Sequence, residues 1–492
     1  MSISSAVLQS AVARVLGIAT IFKDLRGGNI VYLPQRVAVV GQGASASSYS
    51  TDKAQVTSAF AAGQAYGFGS PVHLACMKLL PINGDGVGSI PVTVYPLEDA
   101  GTGVASAGDI TPSGTPTVAA SYIVRINNID SEAFVISVGD TVADIVTAIT
   151  AAINAVVEMP VIATDSTTVC DLASKWKGVT ANDIYVEVIG SETAGNTFAI
   201  TQPVGGLVNP DVDDALNQIG NVWETLIINC MDIADTATLD KYSTFGEGRW
   251  GALVRKPLWV FTGQTNTTVS AATAVSDART TDRVNVTIPL PGSNELPFVV
   301  AARAVSRIAV LANNNPPHDY GSQPLTGLTP GDDGDQWLYA DRDTAVKAGC
   351  STVDVRDSVA YMSDTVTMYH PAGDPLPAYR YVVDGIKIQN ILFNLNLIFA
   401  TSEWDGAPLI PDGQPSTNRS AKTRSNAITA ISTMIDNLAL EAMISDPDTA
   451  KASIQAGING SNPKRLDVAF TVQLSGNTNI TSIDFNFGFY IG

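Results

Sequence analysis

The stretch from Pro463 to Gly492 constrains this chain most. Val468, Phe470, Val472 and Leu474 alternate with polar or small neighbours, a polar turn Ser475–Asn479 follows, and a second alternating run carries Ile483, Phe485, Phe487, Phe489 and Ile491. Period-two alternation is the pattern of a strand with one buried face. A lone hairpin is marginal in water and leaves backbone donors and acceptors open at both edges, so this pair is expected to be completed by another strand. A neighbouring copy of the same chain is the nearest supplier.

A chain of 492 residues exceeds one ordinary core, and about two to four domains are expected. Only 15% of residues are charged against 45% hydrophobic, less charge than a free soluble surface usually carries, which points to surface covered by assembly. The net charge of −19, from 47 acidic and 28 basic residues, argues against direct nucleic-acid binding, because such affinity depends on neutralising phosphates.

Cys76, Cys170, Cys230 and Cys350 form no CxxC pair, so neither a zinc knuckle nor a disulfide framework is signalled, and reduced structural thiols are expected. No signal-peptide pattern opens the chain, which predicts synthesis and assembly in the cytoplasm. The densest apolar stretch, Ile386 to Ala400, is interrupted by Lys387, Gln389, Asn390, Asn394 and Asn396 and reads as an amphipathic or core element rather than a membrane span.

Residues 1–35 read as an arm: Val12 to Phe22 is an apolar, strand-like run, with Val12, Val15, Ile18 and Ile21 as its candidate contact residues, set off by Gly27-Gly28-Asn29 and Pro34. From 36 to 107 the strand Arg36–Gly41, the helical Asp52–Tyr66, the segment Pro71–Leu80 and the strand Ile90–Tyr95 predict an α/β layer structure. Residues 108–205 shift to Thr, Ser, Val and Gly. Strands at Tyr122–Ile126, Ala133–Val138 and Ile184–Ile189 around a helix Thr141–Val157 suggest a self-contained α+β insertion. The α/β pattern resumes over 206–340 with Thr225–Cys230, Leu258–Thr262 and the helical Phe298–Asn313, so the insertion interrupts a domain. A further α+β domain is expected over 341–462, with strands Thr352–Val355 and Thr365–Tyr369 and an amphipathic helix Ser425–Ile444 ended by Pro447; 463–492 is the terminal strand pair. The fold class is therefore multidomain α/β plus α+β.

Candidate chemistry is sparse. Gly41-Gln42-Gly43-Ala44-Ser45-Ala46 follows a strand but lacks the third glycine of a dinucleotide loop and no helix starts at once, so a tight strand-exit turn is the better reading. His73, His318 and His370 show no metal or triad spacing. Asp332, Asp333 and Asp335 lack the twelve-residue calcium-loop pattern and read as a solvated loop. Arg419, Lys422 and Arg424 form a compact basic stretch in an acidic chain, either a soluble loop or a surface that pairs with an acidic partner. No catalytic, cofactor or metal residue is assigned. Three classes stand: a structural polymer, a nucleotide-binding α/β enzyme such as an oxidoreductase, and a secreted adhesin or surface-layer protein that would need an export route.

Ala304 to Leu328, with Ile308-Ala309, Asn315-Pro316-Pro317 and Ser322-Gln323-Pro324-Leu325-Thr326-Gly327-Leu328, resembles the middle of contractile bacteriophage tail sheath proteins of the Mu-like branch. The resemblance continues through Asp341-Arg342, Ala348-Gly349-Cys350-Ser351-Thr352 and Val366-Thr367-Met368-Tyr369, and the order of arm, insertion and terminal strands agrees. It implies a non-enzymatic virion subunit that forms stacked rings around a tail tube, with baseplate and tail terminator proteins as further partners and no membrane insertion. It also implies an outer α/β domain, an outward insertion, and a tube-facing carboxyl-terminal domain completed by terminal strands of neighbours. On that reading Val468, Phe470, Val472, Ile483, Phe485, Phe487 and Phe489 join Val12, Val15, Ile18 and Ile21 as intersubunit strands, with Arg419, Lys422 and Arg424 toward the tube. Sheaths of bacteriocin particles and secretion machines share the design.

Overall fold

The computed structural model describes residues 31–191, 195–374 and 377–485. The run Val12–Phe22, with Val12, Val15, Ile18 and Ile21, lies outside the described residues, as do Phe487 and Phe489. Among those described, two compact units are distinguished: Tyr32–Leu392 with the residues from Asn477 on, and Val31 with Phe393–Gly476.

The larger unit is built on a six-stranded sheet in the order Asn285–Pro289, Trp259–Gln264, Leu226–Asn229, Val37–Gln42, Val92–Leu97, Ala54–Val56. The first five strands run parallel and Ala54–Val56 closes the edge antiparallel. Every residue of the five parallel strands is buried. A parallel sheet is covered on both faces, so its strands show apolar cores such as Val37–Val40 and Leu226–Ile228 without alternation, and buried polar residues such as Asn229, Gln264 and Asn285 sit at their ends. Helix Pro297–Asn314 packs on Trp259–Gln264, and helix Pro71–Leu79 packs on it in turn. Both start with proline, whose fixed φ suits a first turn and whose missing N–H is not needed there. The approach of helix to strand needs Gly263, where an added Cβ would lie 1.7 Å from the Pro297 carbonyl oxygen.

Between Val92–Leu97 and Leu226–Asn229 the chain forms two four-stranded antiparallel sheets that join neither edge of the large one. One contains Ala120–Ile126, Ile129–Asp130, Phe134–Ile136 and Val186–Gly190; the other contains Ala105–Gly114, Val161–Asp165, Cys170–Lys177 and Asn196–Val204. Helix Val142–Ala155 buries Ile145, Val146, Ile149 and Ile153, and a capping box between Thr141 and Asp144 fixes its start. The core of this segment does not close on itself. Trp176 is wholly buried with its ring edge-on to Phe298 at 6.1 Å, and the Lys175 ammonium donates to the Phe68 carbonyl at 3.1 Å.

Residues 341–392, expected to share a separate domain with 393–462, fold with the large sheet instead. Hairpin Thr352–Arg356/Val359–Asp364 turns through Asp357 and Ser358, both at positive φ, the geometry that matches strand twist in a two-residue loop. Thr365–Tyr369 forms no strand; it is tied to the sheet by a bridge from Thr367 to Val286 and by the Met368 amide donating to the Asn285 carbonyl at 3.0 Å. Helix Val382–Phe399 begins here with Val382, Val383 and Ile386 buried, and Gly385 lets the Trp259 ring approach.

That helix is apolar and long enough to cross a membrane by composition, but half of it is buried in the protein. Lys387 is fully buried and donates to Asp384 at 3.0 Å and to Asn477 at 2.7 Å, while the Asn390 side-chain oxygen accepts from the Leu33 amide at 2.8 Å. These are the satisfied polar groups of a core helix.

In the smaller unit, helix Arg424–Leu440 buries Ala427, Ile431, Met434, Ile435 and Leu438. It stops short of the expected Ile444, because Ala442 turns at positive φ and delivers Ile444–Ser445 into a strand. Pro447 does not end this helix but opens a short one, Pro447–Ala452, capped by Asp446. The expected hairpin is also redistributed. Leu466–Ala469 pairs with Gln455–Ile458, Gln473–Leu474 pairs with Ile444–Ser445, and residues 480–485 form no strand. The alternation of the run persists: Val468, Phe470, Val472 and Leu474 are half-buried, and Ala469, Thr471 and Gln473 are exposed.

Candidate assembly surface

The strands of the smaller unit stand in two sheets of two strands each, so among the described residues each pair leaves outer edges without a neighbour. Main-chain groups on such an edge are a template for another strand. Further along the chain Asn477 is pinned: its amide nitrogen donates to the Pro317 carbonyl at 2.8 Å and its oxygen accepts from Lys387. After that anchor Ile480, Ile483 and Phe485 are 80%, 79% and 77% exposed. Three large apolar side chains within six residues, held in solvent just past a fixed point, mark a surface that needs cover.

The basic residues do not converge into a patch. Lys422 is buried, pairs with Glu403, and sits 5.3 Å from the Trp404 ring centroid. Arg424 pairs with Asp412 at 2.9 Å, and the Asp412 carboxyl also accepts from the Ser425 amide at 3.0 Å, a bond that holds it below the usual carboxylate range. Arg419 is exposed. Two of the three charges are thus balanced within the chain.

A groove of about 580 Å³ in the same unit has no counterpart in the sequence pattern. Val31, Leu397, Ile398, Trp404, Ala430 and Met434 supply its apolar lining. Its walls come from the end of one helix and the face of another far along the chain, so no local motif announces it.

The glycine turn offers nothing to a phosphate. The Gly43 amide donates to the Tyr49 hydroxyl at 3.2 Å, Ala44 to the Tyr66 carbonyl at 2.7 Å and Ser45 to the Lys175 carbonyl at 2.7 Å, so the N–H groups a nucleotide would need are already engaged. An added Cβ at Gly43 would strike the Tyr49 ring, which gives the glycine a packing reason. All four cysteines are buried as free thiols, and burial pushes Cys76 up to about 12. Asp332, Asp333 and Asp335 gather no histidine or cysteine, and no metal-binding group of three appears among the described residues.

No family model matches the chain. It is similar to the Mu-like prophage FluMu tail sheath protein of Haemophilus influenzae, 26% identical over 306 residues, which cover 60% of this chain and 61% of that protein. The resemblance to Mu-like tail sheath proteins holds in that alignment, and the relative is a structural protein rather than an enzyme. Among solved structures, a sheath tail protein from Listeria innocua matches at 13% identity and a TM-score of 0.48, covering 92% of this chain and 95% of that one. A sheath tail protein from Desulfitobacterium hafniense matches at 11% identity and a TM-score of 0.44, covering 93% and 100%.

Proposed function

We propose that the chain is the structural subunit of a contractile phage tail sheath, polymerising in stacked rings around a tail tube. The observation that carries this reading is the alignment to a tail sheath protein of a Mu-like prophage; the exposed apolar tail beyond Asn477 and the open-edged strand pairs are what such a polymer requires. Contraction drives the tube through the bacterial envelope. Baseplate, terminator and tube proteins are its partners, assembly takes place in the host cytoplasm, and the product is a virion tail.

Strand exchange supplies the mechanism. In the polymer the segment beyond Asn477, including Ile483 and Phe485, adds to an open strand edge in the adjacent subunit's tube-facing domain, the run with Val468, Phe470 and Val472 lies at such an edge, and residues 108–205 point outward. Main-chain bonds along a donated strand are strong while the linker beside it is flexible, so subunits rotate and slide without parting. The turn at Gly41–Ala46 holds no nucleotide, and the work comes from repacking a lattice assembled in a higher-energy state. The test is electron microscopy of the purified full chain. Tubes or polysheaths are expected, and a protein that remains monomeric at high concentration and in the presence of tail tubes overturns the reading.

A further inference from the structure

We infer that, in the unassembled subunit, the groove between Leu397, Trp404 and Met434 is the docking site of the chain's own leading segment, Met1–Phe22. Val31 lines the groove, and its carbonyl accepts from the Asn394 side chain at 3.2 Å, so the backbone is fixed at the groove where the described chain begins. Thirty residues precede Val31, and Phe22 lies nine residues back, within about 30 Å of contour. A tether this short gives a local concentration in the millimolar range, well above that of a second copy in dilute solution.

The chemistry of the two sides agrees. Arg14 is the single charged side chain from Met1 to Phe22, and the apolar run Val12 to Phe22 gives the segment the side chains that an apolar groove accepts. On the groove side, Leu397 is 43% exposed although it lies on an apolar helix, and the charge of Lys422 is already matched by Glu403. Asn394, Asn426 and Asn437 at the margin supply polar contacts without net charge. Docking there holds the arm against its own body in the monomer. The inference concerns the monomer and does not rest on the sheath reading.

Disulfide trapping in the full-length chain tests it, since the four native cysteines are buried and silent to mild oxidation. Ala430→Cys is combined in turn with Val12→Cys, Val15→Cys and Ile18→Cys, and each protein is oxidised under conditions where it sediments as a monomer. At least one pair is expected to yield a reducible intramolecular species in most of the chains, with a yield unchanged by tenfold dilution and absent from the single variants. Crosslinking only as dimers, falling with dilution, overturns the inference in favour of a second copy as occupant. No crosslink at any of the three positions, in variants that keep the parent circular dichroism, overturns it outright.

Discussion

The six-stranded sheet and the strands of Phe393–Gly476 solve the edge problem in opposite ways. In the sheet every residue of the five parallel strands is buried, and a short antiparallel strand covers one margin. In the smaller unit the four strands are two to four residues long, and Ile444 alone among their residues is buried. Burial holds Asp183, Glu295 and Asp319 of the larger unit above their ordinary range, whereas hydrogen bonds hold carboxylates below it in both units, at Asp144, Asp165 and Asp211 as at Asp412, Asp446 and Asp467. One region is finished by its own chain; the other has main-chain hydrogen bonds still to make, and assembly has most to gain there.

The sharpest way to break this contrast is to remove the exposed tail. A chain ending after Asn479 keeps the Asn477 contacts to Lys387 and Pro317 and loses Ile480, Ile483 and Phe485. Its circular dichroism and melting are expected to match the full chain while polymers vanish in sedimentation; polymers of normal length would show that the open edges are not used. Next in size, Gly263→Ala forces a methyl into the helix backbone of the finished region, and a loss of about 3 kcal/mol or more is expected in urea unfolding. A loss below about 1 kcal/mol would mean that the helix–strand seam yields more readily than its close packing implies.

A smaller effect comes from Asp183, whose carboxyl burial raises to about 7, with Asp232 adding to the shift. The folded state keeps a proton that the unfolded chain releases near its ordinary value of 3.8. The stability this proton contributes is therefore complete below that value and is lost as pH rises through about 7. Asp183→Asn should remove this slope; the full shift is worth about 4 kcal/mol between pH 4 and pH 8, and the partial solvent contact of this half-buried residue lowers the expected gain of the variant at pH 8, with the two aligned at pH 4, to on the order of 2 kcal/mol. Parallel pH profiles would place the carboxyl in better-solvated surroundings. The smallest effect is expected at Gly457→Ala in the open region, where an added Cβ meets nothing within 4 Å, and stability should stay within about 0.5 kcal/mol.

The fold is legible in the sequence where burial on both faces leaves a short apolar run, as at Leu226–Ile228 and Trp259–Phe261, and where a capping box marks a helix start, as at Thr141. It is not legible at Ala105–Gly114 and Asn196–Val204, whose Ser, Thr and Gly content announces no strand although they pair along most of their length. Residues 467–474 read as one arm of a hairpin for a related reason. Their alternation is plain, but the partners, Gln455–Ile458 and Ile444–Ser445, are chosen by long-range packing that no local pattern encodes. The same limit hides the groove and the burial of Lys422, whose charge reads as surface until Glu403 and Trp404 are brought to it.

Asn477 has a mechanical consequence. Any tension applied to the residues beyond it falls first on the hydrogen bonds to Lys387 and Pro317. Withdrawing Asn477 would take an acceptor from a wholly buried ammonium, which costs far more than breaking a bond in water. The anchor therefore behaves as a stiff clamp, passing force into helix Val382–Phe399 and, where Gly385 meets the Trp259 ring, onto the central sheet before the tail itself can be drawn out.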